Sequence, residues 1–361
     1  MRIVAVGDIG IHGRHADTAL RDPESLLGPT RALLRGAEVV LGNLEIPLGA
    51  PSKTGPEGRA PAPATGCAPP QSAQLLRSWG FTHLSLANNH VMDMGPEGLA
   101  FTIERLREAG IVPFGAGADE EEARRPVRID GPHRLALVGY SMRCRANATA
   151  TSPGSAPFRV VEAQEQIVAL RAEGRFVIVA LHLGRMYLRR PSPEHRAACL
   201  RLLQAGAGLV LCAHAHVPAG AYLHEGRLAA AGLGDFLFDA YQGEIRTIVG
   251  RRSRRIGILL DAEIDATGTI RANRTPLLLP GQGGPLPHPD ASRILRHWRK
   301  WDRELVRGGR IYALRYYLLE YPRLLVYILH AAFIHACRGN WRKAYSYTFG
   351  LVFRARSGQR F

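Results

Sequence analysis

Five short apolar runs in this chain each give way to an Asp, Asn, Glu or His, and that repetition constrains the fold more than any other feature. The run 3–7 is followed by Asp8, 39–42 by Asn43 and Glu45, and 83–87 by Asn88, Asn89 and His90. The run 176–181 is followed by His182, and 209–213 by His214 and His216. Short runs rich in Val, Ile and Leu read as buried strands. In a layered α/β protein, ligands collect beyond the carboxyl ends of the strands. The five segments are therefore expected to converge on one cleft.

From residue 1 to about 280, β-rich runs alternate with amphipathic helical ones, which indicates α/β layering rather than an all-helical or all-β fold. The expected strands are 3–6, 39–41, 83–86, 135–139, 176–181 and 209–212, and helices are expected at 98–109 and 192–205, with Ser192 and Glu194 opening a capped first turn. The acidic run Asp119 to Glu122 reads as the start of a solvated helix. Residues 50–70 are dense in Pro, Gly and Ala and are expected to be an irregular loop lying over the site. A second Pro/Gly-rich break at 277–290 marks the best boundary. It divides a body, 1–280, from a basic amphipathic helical tail, 281–361.

One Asp, one Glu, one Asn and three His form a mixed oxygen and nitrogen set. It suits one or two divalent transition metals, Mn, Fe or Zn, and is too rich in imidazole for a Mg or Ca cage. A two-metal site would activate a hydroxide and hold a phosphoryl oxygen, leaving His90 to protonate the leaving group. Taken singly, each residue has a plainer reading. Asp8 could cap a helix or form a turn, Asn88 and Asn89 could be turn residues, and His182 a hydrogen-bonded core histidine. His214 and His216, two imidazoles at i and i+2 beside a strand end, would point to one face.

These residues also carry a family resemblance. The segments GDIGIHG, GNLEIPLG, SLANNHVMDMGPEGL, FGAGADEEEARRP, LHLGRMYLRRPSPEHR, AGAGLVLCAHAHVPAG and GLGDFLFD occur in the order seen in CapA capsule-synthesis proteins, from about residue 2 to about 240. The chain resembles that branch of the calcineurin-like metallophosphoesterases, which are named for poly-γ-glutamate synthesis. The resemblance implies a four-layer α/β/β/α sandwich with metals at the strand ends. It implies that Asp8 and His216 serve one metal, that Asn89, His182 and His214 serve the second, and that Glu45 bridges them. It makes His90 the general acid oriented by Asp93, with Asn43 supporting the ligands. The chain departs from the pattern at Gly10, where superfamily phosphatases carry the histidine of Asp-x-His, and His12 is a candidate substitute. The HWG and GNF segments read here as His182-Leu183-Gly184 and Gly234-Asp235-Phe236, so Asp235 adds an acid near the site. The implied function is hydrolysis of a phosphate-containing or polymer-linked substrate in capsule, poly-γ-glutamate or other exopolymer synthesis. The alternative is a non-catalytic accessory or scaffold that binds an anionic polymer.

The five cysteines are odd in number and never in a CxxC pair, which signals neither a disulfide framework nor a thiolate zinc site and fits a reducing, cytoplasmic compartment. No signal peptide is visible, and the longest apolar stretch, 324–337, is short for a bilayer-spanning helix. Charge is a property of the tail. From Pro289 onward 15 Lys and Arg stand against 4 Asp and Glu, giving +11 of the formal +16. Ile294, Leu295, Trp298, Trp301 and Leu305 recur at helical spacing with Arg293, Arg296, Arg299, Lys300 and Arg303 around them. Packing on the body or on a second copy, and attachment to an anionic membrane surface at the inner side, are the leading uses. Basic and aromatic residues alone do not define a nucleic-acid module.

Overall fold

The computed structural model describes residues 1–26, 28–49, 67–239, 256–265, 267–280, 283–322, 325, 326, 329, 332 and 333. Most of the loop expected at 50–70, and most of 324–337, lie outside the described residues.

Along the chain come β1 (Arg2–Gly10), α1 (Arg14–Arg21), α2 (Thr30–Leu34), β2 (Val39–Leu44), α3 (Ser72–Ser78), β3 (His83–Ser85), α4 (Gly95–Glu108) and β4 (Val112–Phe114). They are followed by β5 (Ala116–Gly117), α5 (Glu120–Ala123), β6 (Val127–Ile129), β7 (Leu135–Ser141), β8 (Gly154–Ser155), α6 (Val160–Ala172), β9 (Phe176–His182), α7 (Pro193–Gln204) and β10 (Ala207–Ala213). The remainder is β11 (Ala221–His224), β12 (Arg227–Ala230), β13 (Asp235–Phe238), β14 (Ile256–Ile264), β15 (Ile270–Leu278), β16 (Leu286–Pro287), α8 (Ala291–Arg307) and α9 (Gly309–Leu319). Each strand expected from sequence is present, most of them running a residue or more longer. The Ser192 cap also forms, its Oγ accepting the His195 N–H at 3.2 Å, and Asp119 caps α5 through the Glu122 N–H at 2.8 Å.

The strands build two large sheets, one in the order β16-β15-β14-β1-β2-β3-β4 and one in the order β11-β12-β10-β9-β7-β6, and a small antiparallel pair, β5-β8. Alternation of side chains along each strand divides its apolar residues between two cores. Ile3, Ala5, Val39 and Leu41 of the first sheet meet Leu137, Ile178, Ala180, Leu209 and Leu211 of the second. Val4, Val6, Val40 and Leu84 point the other way, against Leu34, Leu76, Leu99 and Leu106 of the helices α2 to α4. On the far side, Val138, Val177, Val179 and Val210 pack with Ile167 of α6 and with Ala198 and Leu202 of α7. The parallel strands are apolar throughout because both faces are covered.

β1 sits at the centre of the first sheet, parallel to β2 and antiparallel to β14. Beyond Ala5 its neighbour on the β14 side changes to β13, which runs parallel and sets Asp235 beside Asp8. On the opposite side Asp8 is in register with Asn43. Gly7 permits this crossover, since a Cβ there would lie 1.7 Å from the Gly234 carbonyl oxygen. The backbones could not approach with any side chain in place.

The amphipathic helix expected within 291–320 forms as α8, and Gly308 separates it from α9. α8 turns Trp298 and Leu305 inward and leaves Arg293, Arg296, Arg299, Lys300 and Arg303 exposed. Asp302 accepts the Ala221 N–H at 2.7 Å and pairs with Arg274. Arg190 joins Glu304 at 2.9 Å and Glu320 at 2.7 Å, while the Tyr312 hydroxyl donates to the Pro191 carbonyl at 2.6 Å. Burial of a side chain the size of Trp298 or Leu305 contributes about 2–3 kcal/mol. α8 is thereby held on the body. No helix among the described residues is long and apolar enough to cross a membrane.

Candidate metal centre

Glu45, just beyond β2, is the focus of the cleft. It is fully buried, and neither carboxylate oxygen has a hydrogen-bond partner among the described residues. Its Oε1 lies 3.7 Å from His216 Nε2, 3.8 Å from His182 Nε2 and 3.8 Å from His90 Nε2. Asp8, Glu45 and His216 form one group whose ligand atoms all lie within 4.8 Å of one another, and Glu45, His182 and His214 form another. The two groups share Glu45.

Neighbouring strands fix these side chains. Asn43 Nδ2 donates to Asp8 Oδ1 at 2.8 Å, while Asp8 Oδ2 accepts the His214 N–H at 3.2 Å. His216 Nδ1 lies 2.8 Å from Asp235 Oδ1 and 3.4 Å from Asp8 Oδ2. Asn89 Oδ1 lies 2.7 Å from His182 Nε2, and His214 Nδ1 3.1 Å from the same nitrogen. Asn88 Nδ2 donates to the Leu44 carbonyl at 2.8 Å, and its Oδ1 accepts the His90 N–H at 3.0 Å. His90 Nδ1 sits 2.8 Å from Asp93 Oδ2. Asn89, His90 and Asp93 are only partly buried, so the cleft opens on their side.

His214 and His216 converge by a different route from strand alternation. β10 ends at Ala213, and both histidines adopt positive φ, 89° and 54°. Left-handed backbone is costly for a side chain with a Cβ and persists where the surroundings enforce it, commonly at functional sites.

Electrostatics divide the imidazoles. Burial opposes protonation of His216, but Glu45, Asp235 and Asp8 outweigh it and lift the group to about 9. His182 and His214 are held well below the usual histidine range, first by burial and then by neighbouring imidazoles. Burial raises Asp8 to about 6 against the pull of His216, and raises Glu45 well above the carboxylate range, with Asp8 adding to the effect. Two carboxylates crowded among three imidazoles, one of them bare of hydrogen bonds, make a poor core and a good cation cage. The donor set fits a borderline transition metal.

Gly10 has no room for a side chain of its own. A Cβ there would stand 2.7 Å from Ile46 Cγ1 and 2.9 Å from Phe238 Cδ2. His12 lies with Nδ1 3.0 Å from the Gly10 carbonyl and its ring edge-on to Phe238, and it belongs to neither ligand group. Sequence reasoning missed Tyr187. Its ring stacks on His216 at 5.9 Å and 29°, and its N–H donates to the Ala215 carbonyl at 2.7 Å. Leu183 is core; the aromatic ring at the site comes from Tyr187. The signal available was an aromatic residue five places beyond the strand-end histidine.

The family described as Bacterial capsule synthesis protein PGA_cap matches residues 2–240. The chain is similar to the Capsule biosynthesis protein CapA of Bacillus anthracis, 27% identical over 319 residues that cover 86% of this chain and 74% of that protein. It is similar to the PGA biosynthesis protein CapA of Bacillus subtilis (strain 168), 25% identical over 279 residues, 75% of this chain and 70% of that one. A Probable polyglutamine synthesis accessory protein of Mycobacterium tuberculosis is 30% identical over 173 residues, 44% of this chain and 45% of its own.

Proposed function

Since the chain belongs to the PGA_cap family of bacterial capsule synthesis proteins, we propose that it is a metal-dependent hydrolase acting on a phosphate-containing substrate in the assembly of poly-γ-glutamate or another anionic surface polymer. The observation that carries this reading is Glu45, a buried carboxylate without hydrogen bonds shared by two groups of ligand side chains. Two helix-flanked sheets with a common core support reading the architecture as the four-layer α/β/β/α metallophosphoesterase-like sandwich.

In this reading Asp8 and His216 hold one divalent ion, Asn89, His182 and His214 hold a second, and Glu45 serves both. Such ions supply Lewis acidity toward a phosphoryl oxygen and acidify a water. The protein's own part is to position groups. Asn43 keeps Asp8 in place, Asp235 orients His216, and His90 stands on the open side with Nδ1 turned to Asp93. As the imidazolium, His90 would keep its Nδ1 hydrogen on Asp93 and offer the Nε2 hydrogen to the departing oxygen.

The exposed face of α9 extends the proposal to where the enzyme works. Ile311, Leu314 and Leu318 are exposed on one stripe beside Arg310 and Arg315, a pattern that suits an anionic membrane surface.

Metal content per chain and turnover of an aryl phosphodiester, measured on protein purified without chelator, test the reading. His214→Ala and His216→Ala should lose metal. His90→Ala should retain it and lose roughly 10²–10⁴ in turnover. A chain that never holds metal, even after reloading, would sink the hydrolase. The lack of room for any side chain at Gly10, the position of the Asp-x-His histidine, favours a second reading as a polymer-binding accessory. Metal-loaded protein inert to phosphoesters but retained on poly-γ-glutamate would select it.

A further inference from the structure

A second group of metal-ligand side chains lies beneath the strand ends, outside the cleft. His195 and Cys199 stand four residues apart on α7, so their side chains leave one helix face. Cys212 rises to meet them from β10. The two sulfurs are 3.5 Å apart, and one ligand atom from each of the three residues lies within 4.8 Å of the others. All three residues are buried. His195 Nε2, although buried, has no hydrogen-bond partner among the described residues.

We propose that His195, Cys199 and Cys212 form a three-ligand Zn²⁺ site distinct from the carboxylate–imidazole centre. Two buried cysteines alone would pass for small apolar residues, and Ala198, Leu202 and Val210 around them fit that account. The imidazole does not fit it, because a buried ring nitrogen without a partner is unfavourable unless something binds it. The sulfur spacing agrees with chelation. Zn–S bonds of about 2.3 Å at a tetrahedral angle separate two thiolates by about 3.8 Å. Charge agrees as well, since two thiolates and a neutral imidazole bring Zn²⁺ to zero net charge, the condition an apolar core tolerates.

The site would brace the cleft above it. Cys212 precedes His214 by two residues. Gly184, two residues beyond His182, packs so close to His195 that a Cβ there would lie 3.1 Å from its Nδ1. A zinc ion on α7 and β10 would therefore clamp the layer under both histidines.

Zinc K-edge X-ray absorption on the zinc-loaded full chain tests this directly, because the cleft offers only nitrogen and oxygen ligands. A sulfur shell at about 2.3 Å is expected. In Co²⁺-loaded protein the same site should give near-ultraviolet thiolate-to-Co²⁺ charge transfer, weakened in Cys199→Ser and in Cys212→Ser, absent when both are replaced, and retained in His214→Ala. Wild type lacking the sulfur shell overturns the proposal, as does a shell that persists when both cysteines are replaced. Thiol titration of the unfolded chain that finds Cys199 and Cys212 joined as a disulfide also overturns it. Should a variant not fold, alkylation of wild type decides: a chelator should speed modification of Cys199 and Cys212 roughly tenfold relative to Cys67 and Cys144, and unchanged relative rates refute zinc binding.

Discussion

Asp235 Oδ1 lies 2.8 Å from His216 Nδ1, a contact made possible by β13 replacing β14 beside β1 at Asp8. The carboxylate fixes which nitrogen of His216 turns toward Glu45. Asp235→Asn should keep the fold, shown by an unchanged circular dichroism spectrum, and weaken metal binding about 10–100-fold in a chelator competition. Affinity equal to wild type would mean that Asp235 does not orient the ligand.

Glu45 should separate stability from metal binding. Glu45→Leu removes a buried carboxylate that has no hydrogen bond among the described residues. Metal-free, the variant should be more stable than metal-free wild type by about 1–3 kcal/mol in urea unfolding. Wild type should gain stability when metal is added and the variant should not. A variant less stable than wild type under chelator would show that Glu45 is a structural group.

His83 supplies a pH dependence away from the site. Burial, and then Arg77, hold it at about 4 in the folded protein. Above about pH 6.5 it is neutral both folded and unfolded, and its contribution is complete. Between about 6.5 and 4 the unfolded chain takes up a proton that the folded chain refuses, so stability falls as pH falls, by about 3 kcal/mol over the interval. Below that range both states are protonated and the loss stops. His83→Gln should flatten this part of the stability profile in denaturant melts at stepped pH.

The proposed membrane attachment through α9 is tested by vesicle sedimentation. Ile311→Asp with Leu318→Asp should reduce partition onto phosphatidylglycerol vesicles at least about tenfold and leave metal content unchanged. Equal partition of the variant would place any lipid contact elsewhere.

Much of the centre was legible because strands announce themselves locally. Val, Ile and Leu runs ending in Asp8, Asn43, His182 and His214 required only a layered fold to bring them together. What was not legible depends on long-range register or on strained backbone. The Gly234-Asp235-Phe236 segment set Asp235 near the site, but nothing local says that β13 will take over from β14 beside Asp8 and bring it onto His216. The positive φ of His214 and His216 is imposed by tertiary contacts, and Tyr187, at φ 65°, also has left-handed backbone where it reaches His216. Cys199 and Cys212 do not resemble a metal motif because one leaves a helix and the other a strand. The packing of Ile46 and Phe238 around Gly10 likewise depends on segments that meet only in the finished sheet.

The central place of β1 also sets a schedule for biosynthesis. β2, β3 and β4 follow soon after β1 on the ribosome and can cover one of its edges. The opposite edge waits for β13 and for β14, whose register pairs Arg2 with Glu263. That is roughly 250 residues of translation, about 10–50 s at ordinary elongation rates. During that interval an apolar strand edge stands open in the nascent chain, inviting chaperones and vulnerable to misassociation until the far end of the sheet arrives.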